Sequence, residues 1–422
     1  MTGMRTSAGR AGRAVGDAAR QAIRAGGRGV DRWVSVHGPA FRRLAVTQAA
    51  AYAGDTLVAI GLAGTIFFDI PSAEARGKVA LYLLLTLAPF VVLSPFLPRI
   101  FARLPNPYRV GLVGSGGLRA VLTVILVLVG LDGIWLFPIA FGLLVLSRLH
   151  GIARSSLLPI TLPEAVALVA ANSRLAQVGL AAGTVAALVG ALVMEVFGPE
   201  ASLLLAAVAF AVMAFLAGAI DAPRAAQGFA REWNHVWSPP RVVRLSMTAT
   251  AMVRLLHGFL VLLLAFAFKE ADAGLLDFGA LLAAAGGGFG LSSLLAPWLE
   301  RRLREEPMVV AALAVEAAAA FIAAQVFGLA AGAAVAAAAG LAWGTAKFAF
   351  DGMLQNHTPA HRRGLAFTRS ETFFQIAWVL GAIVPVAIPI GVPLGLALAG
   401  TSALAVQAVI VSGLLVSVRE SN

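Results

Sequence analysis

From residue 44 to residue 417 the chain is a succession of apolar stretches, each about twenty residues long and set off by short polar breaks. About 20 apolar residues at a rise of about 1.5 Å each match the hydrocarbon core of a bilayer. Lipid offers backbone amides no partners, so such stretches must be helices. The short alternating segments of a transmembrane barrel are absent from the sequence. Twelve spans are expected near 44–68, 79–98, 109–130, 134–152, 168–194, 200–220, 245–268, 274–298, 308–327, 329–350, 366–389 and 393–417. Composition agrees: 59% of residues are hydrophobic and 13% charged. Soluble domains run at about 45–50% apolar and about 25% charged. A soluble enzyme, a secreted module and a disordered chain are thereby excluded.

The formal net charge of +11 raises nucleic acid as a partner, but the placement of the charge points elsewhere. Arginines crowd the segment before the first span and every second connection after it, from Arg99 and Arg103 through Arg148, Arg154, Arg244, Arg301 and Arg362 to Arg419. The alternate connections hold only Arg76, Lys78 and Lys269, alongside acids such as Asp69, Glu74, Asp132 and Glu270. The positive-inside rule then places both termini in the cytoplasm, as an even number of spans also requires. The basic excess is a topology signal, and no nucleic-acid partner is expected.

This reading divides the chain into a basic N-terminal arm (1–43), a six-span half (44–220), a central cytoplasmic loop (221–244), a second six-span half (245–418) and a short tail (419–422). In the arm, Arg10, Arg13, Arg20, Arg24 and Arg28 fall on one face at helical spacing. Two readings of it stand: a basic helix lying on anionic lipid, or a disordered tail that enforces orientation.

The halves repeat each other at an offset of about 196–200 residues. Leu93-Ser94-Pro95-Phe96-Leu97 is echoed by Leu291-Ser292-Ser293-Leu294-Leu295, and Pro163 by Pro359. An even number of spans per repeat makes the halves parallel, related by an axis along the membrane normal. Secondary transporters are built this way, with substrate held near the midplane between the halves.

On these features the chain resembles the major facilitator superfamily. Gly54-Asp55, Leu118-Arg119, the run Ala171 to Leu175, Arg363-Gly364 and Glu371-Thr372 are similar to its macrolide-efflux-like, or transmembrane secretion effector, branch. The resemblance implies an all-α membrane fold of twelve helices in two pseudo-symmetric six-helix halves. It also implies a cytoplasmic gate, for which Arg99, Arg103, Arg148, Arg154, Lys347, Asp351 and Glu371 are candidates. The loop between the second and third spans departs from the superfamily pattern. Its arginines are present, but the gating Asp is missing from Ser94 to Arg103.

Charges within the spans need a reason, since each costs about 2.5–3.5 kcal/mol at a helix centre on insertion scales. Asp55, Arg119, Arg254, His257 and Glu316 all fall near the midplane. By the repeat, Asp55 maps onto Arg254 and Arg119 onto Glu316. Two pairs are expected, Asp55–Arg119 and Arg254–Glu316, acting either as clamps within each half or as proton carriers. His257, one turn from Arg254, suits either packing or proton relay. Lys347 and Asp351, spaced i, i+4, are expected to neutralise each other or to form a latch with Arg148, Arg154 or Glu371.

The chain has no Cys, its six His are scattered, and it carries no phosphate-binding loop. Catalysis, a metal centre, a cofactor and ATP-driven transport are accordingly not expected. The expectation is a multi-pass protein of the bacterial inner membrane. It would work by alternating access and, through the branch resemblance, in efflux. Its partners would be the lipid bilayer, a small amphipathic or hydrophobic substrate, and protons as the coupling ion. The alternative is a non-transporting or lipid-handling protein of the same fold.

Overall fold

The computed structural model describes residues 39–66, 106–131, 133–162, 168–220, 239–270 and 275–421, with a few single positions between. The arm before residue 35, most of the span expected at 79–98, Arg99, Arg103 and most of the central loop lie outside the described residues. The described residues form eleven long helices. These are α1 (Pro39–Ile66), α2 (Pro107–Val129), α3 (Leu136–Leu157), α4 (Leu168–Phe197), α5 (Pro199–Gly218), α6 (Arg241–Glu270), α7 (Leu275–Arg302), α8 (Glu305–Gln325), α9 (Leu329–His357), α10 (Arg363–Ala387) and α11 (Val392–Ser421). Ten of them, α2 to α11, contain stretches long and apolar enough to cross a membrane. α1 is the first expected span, α2 to α5 the third to sixth, and α6 to α11 the seventh to twelfth.

Local chemistry sets the helix ends. Pro107 and Pro199 start α2 and α5 at the first turn, where a missing N–H loses nothing. Between α4 and α5 the chain reverses at Gly198, whose φ of 88° is open to glycine at little cost. Gly130 ends α2 in the same way, at φ 92°, its N–H bonded to the Leu126 carbonyl.

The repeat is visible in the packing. In the first half α1 packs on α4 and α5, and α2 on α3 and α5. In the second, α6 packs on α10 and α11, and α8 on α9 and α11. These are the same four pairings, shifted by six spans. Single turns of 3₁₀ helix at Leu158–Ile160 and Ala360–Arg362 follow α3 and α9, which are also equivalent positions.

Two helix pairs in the second half approach at backbone distance, as small residues allow in lipid. A Cβ at Gly288 of α7 would collide with the Ala337 carbonyl of α9, and one at Gly340 of α9 with the Ala285 carbonyl of α7. Gly258 of α6 and Gly381 of α10 stand in the same relation to the Trp378 and Leu255 carbonyls. Gly286 and Gly287, next to Gly288, have open space. Only one residue of that glycine run makes the close contact. Outward faces carry exposed Leu128, Ile134, Leu188, Phe197, Phe215 and Leu282, an apolar perimeter that suits lipid.

Candidate functional site

Among the described residues, a set of bonds between the halves gathers at the end of the bundle that carries the basic connections. Glu300, near the end of α7, accepts the first free N–H groups of α4 from Val169 (3.3 Å) and Ala170 (3.1 Å). These amides lack helical acceptors, and a carboxylate there also answers the helix dipole. Gln355 of α9 accepts from Asn172 Nδ2 of α4 (2.8 Å) and donates to the Ser155 carbonyl of α3 (2.8 Å). The Tyr108 hydroxyl of α2 donates to the Ala360 carbonyl (2.7 Å) and accepts from the Gly364 N–H (3.1 Å). Gln177 of α4 reaches the Ser293 carbonyl of α7 at 2.7 Å. One apolar cluster crosses the interface beside these bonds. It joins Phe41, Leu157 and Leu175 of the first half to Phe350, Met353 and Phe367 of the second.

Above this seal, toward the middle of the membrane, lies a cavity of about 250 Å³. It is lined from both halves by α1, α3, α4, α6, α7, α9 and α10. Its charged residues are Arg148, Arg154, Arg254, Lys347, Asp351 and Glu371, five of them expected gate residues and one an expected pathway residue. Lys347 is the hub of the acids: Nζ lies 2.5 Å from Asp351 and 2.8 Å from Glu371. The i, i+4 spacing supplies the first contact, and α10 brings Glu371 to the second. Aromatic rings of Tyr52, Phe289, Trp343, Phe348, Phe367 and Phe374 make up much of the remaining wall.

Asp55 and Arg119 come together as expected from their depth. Arg119 Nη1 donates to Asp55 Oδ1 at 2.7 Å. The arginine is fully buried, whereas the Asp55 side chain is 41% exposed. Arg119 also donates to the Ser115 carbonyl (3.2 Å), and its guanidinium carbon sits 4.3 Å from the Phe210 ring centroid. Ser147 of α3, a cavity-lining residue, donates to the second Asp55 oxygen at 3.2 Å. The pair thus borders the cavity through one hydroxyl.

The second expected pair does not form. Arg254 turns into the cavity, its guanidinium carbon 4.3 Å from the Trp343 ring centroid and 5.6 Å from that of Trp378. Glu316 is buried among apolar residues of the second half, and neither carboxylate oxygen has a hydrogen-bond partner. The repeat explains the difference. Trp343 is the counterpart of Ser147 at an offset of 196 residues. The first half meets its midplane charge with a hydroxyl and an arginine; the second meets it with indole faces, which attract a cation without an acid. Arg254 therefore needs no Glu316. His257 faces the Ala339 backbone rather than the cavity, and its Nδ1 has no partner.

Sequence reasoning missed Glu300, Gln355, Tyr108 and the tryptophans. Only Glu300 had a usable signal. At an offset of 198 it maps beside Arg103, in the loop whose acid is missing. The acid absent from one repeat stands in the other. Among the described residues no group of His, Asp or Glu has the arrangement of a metal site.

Helix order, pairing and a cavity between two parallel halves define the major facilitator transporter fold. Solved structures with this architecture include a bacterial homologue of the iron transporter ferroportin in the outward-facing state, with a TM-score of 0.66 at 15% identity over 88% of this chain and 98% of that one. The human organic anion transporter MFSD10 (TETRAN) matches with a TM-score of 0.64 at 12% identity, over 90% and 99%. FucP in the outward conformation matches with 0.62 at 14% identity, over 88% and 97%. At such identities the likeness establishes the fold. No protein-family profile matches the chain. In sequence it is similar to an uncharacterised protein of Mycobacterium leprae (strain TN), 30% identical over 381 residues, covering 79% of this chain and 64% of that protein. It is also similar to an uncharacterised protein of Mycobacterium tuberculosis (strain ATCC 25618 / H37Rv), 40% identical over 144 residues, covering 32% and 26%. The chain spans less than two thirds of the length of these relatives.

Proposed function

We propose that this chain is a secondary active transporter of the bacterial inner membrane, with cytoplasmic termini, that moves a small amphipathic molecule by alternating access. The observation that carries the reading is a midplane cavity lined from both halves and sealed at the basic end by bonds that run only between halves. With the basic end cytoplasmic, this arrangement has its inner side closed. Bonds such as Glu300 to α4 are then the ones that must break for the cavity to open inward. The missing loop Asp lends the non-transporting alternative weak support, and the Glu300 contact puts an acid at that same end of the bundle.

In this reading Asp55 is the proton carrier. It is the midplane acid that water reaches, and it is tied both to Arg119 and to the cavity wall through Ser147. Proton-coupled efflux and the macrolide-efflux-like branch are supported by the motifs around Asp55, Asn172 and Glu371. Lys347, Asp351 and Glu371 form the latch at the cavity floor. A panel of amphipathic compounds, ranked by thermal stabilisation of the purified protein, tests the proposal in liposomes loaded with a pH-sensitive dye. Stabilising compounds should cross in exchange for protons moving the opposite way, and Asp55→Asn should uncouple the two fluxes. Compounds that bind and stabilise but never cross would contradict the transporter reading.

A further inference from the structure

We propose that the cavity takes an organic anion with a compact apolar body, and that Arg254 holds its acid group. This rests on the transporter reading for its setting and on the cavity's own chemistry for its content. Four cationic side chains line the cavity against two acidic ones. Both acids are already engaged by Lys347. That trio keeps one negative charge, which faces Arg148 and Arg254, and the cavity as a whole still holds two more positive charges than negative ones.

Arg254 is the group best arranged to use that excess. It enters the cavity near the middle of α6 with its guanidinium over the Trp343 ring of α9 and near the Trp378 ring of α10. The cation–π contacts hold the guanidinium in place without supplying an oxygen acceptor to any of its five N–H donors. Among the described residues Arg254 makes neither a hydrogen bond nor an ion pair of 4 Å or less, and it is only partly covered by protein. An arginine held by aromatic rings in a cavity wall, with no protein acceptor for its N–H groups, offers the fork that carboxylates and phosphates accept in bidentate fashion. Glu371 offsets part of this charge at longer range, but only an anionic occupant would meet the guanidinium with a direct bond at the midplane, where a charge is costly.

The apolar part of the ligand follows from the same walls. Phe289, Trp343 and Phe374 line the same cavity as Arg254 and suit an aromatic or branched aliphatic body. Arg148 and Arg154 add to the positive field from α3.

The test uses three matched probes that share one naphthalene ring: 2-naphthoate, 2-naphthalenemethanol and 2-naphthalenemethylammonium. Binding to the purified full chain is read as thermal stabilisation and by isothermal calorimetry. The anion should bind about tenfold to a hundredfold more tightly than the alcohol, the range expected of a charge-assisted hydrogen bond. In Arg254→Gln that preference should fall to about threefold or less. Arg254→Lys keeps the charge without the fork. It should retain an intermediate preference, and it serves as the readout if the Gln variant fails to fold. Equal binding of the three probes, tighter binding of the ammonium, or an undiminished anion preference in both variants would overturn the proposal. The transporter reading fails separately: naphthoate that binds through Arg254 yet never crosses a liposome leaves the anion site standing and removes transport.

Discussion

Asn in place of Asp55 should destabilise the first half by leaving Arg119 as a buried charge without its counter-ion. Breaking a fully buried pair costs about 3–5 kcal/mol. Three features of this pair lower that figure. The Asp55 side chain is 41% exposed, so water replaces part of the lost interaction. Arg119 keeps its bond to the Ser115 carbonyl and its position over Phe210. The Asn oxygen can still accept one hydrogen bond from Nη1. A loss of about 2–3 kcal/mol remains. For a unit the size of one six-helix half, this corresponds to a fall in melting temperature of about 5–10 °C. Arg119→Gln removes the buried charge itself and leaves Asp55 open to water, so it should cost less. The double variant should be about as stable as Arg119→Gln alone. Fluorescence-detected thermal unfolding in detergent, run as a double-mutant cycle, reads all three. Additive single effects would refute the argument, because additivity means the two side chains do not interact.

Two further substitutions test separate parts of the account. Glu300→Gln removes the charge that caps α4 across the interface, worth about 1 kcal/mol at a helix N-terminus. It should shift the balance away from the closed basic end about fivefold, seen as faster alkylation of a single cysteine at Ala176 in inside-out vesicles; an unchanged rate would show that the contact does not hold the seal. Glu316→Leu replaces a buried carboxyl that has no partner with a side chain of similar size, so stability should hold or rise by about 1–3 kcal/mol. A loss of similar size would mean that Glu316 has an interaction this arrangement does not provide.

What could be read in advance was whatever the bilayer dictates. Span length, the alternation of arginine-rich connections and the repeat offset all follow from hydrocarbon thickness and insertion, and the helices from α2 to α11 fall where those rules put them. Asp55 and Arg119 could be paired because both lay at midplane depth, on the first and third spans of one repeat. The same logic failed for Arg254 and Glu316. It assumed that equivalent positions keep equivalent partners, whereas Trp343 had replaced Ser147 and changed what the midplane charge requires. A tryptophan inside an apolar run carries no mark in sequence that distinguishes a packing residue from a platform for a cation. Glu300 was hidden for another reason. Its partners are backbone amides of α4, which leave no side-chain signature, and it stands in the repeat opposite to the one where the acid was sought.

Alternating access around the cavity is the central claim, and the absence of native cysteine makes it directly measurable. Spin labels placed at Ala219 and Arg302 report the gap between the halves at the basic end, and labels at Phe197 and Ile388 report it at the opposite end. All four positions are exposed. Electron–electron distance measurements in nanodiscs should give two populations for each pair, with the basic-end gap widening as the opposite gap narrows. Addition of a stabilising ligand or a change of pH should move both populations together. One fixed distance at each end, unmoved by pH or ligand, would contradict the claim that the halves rock about the cavity.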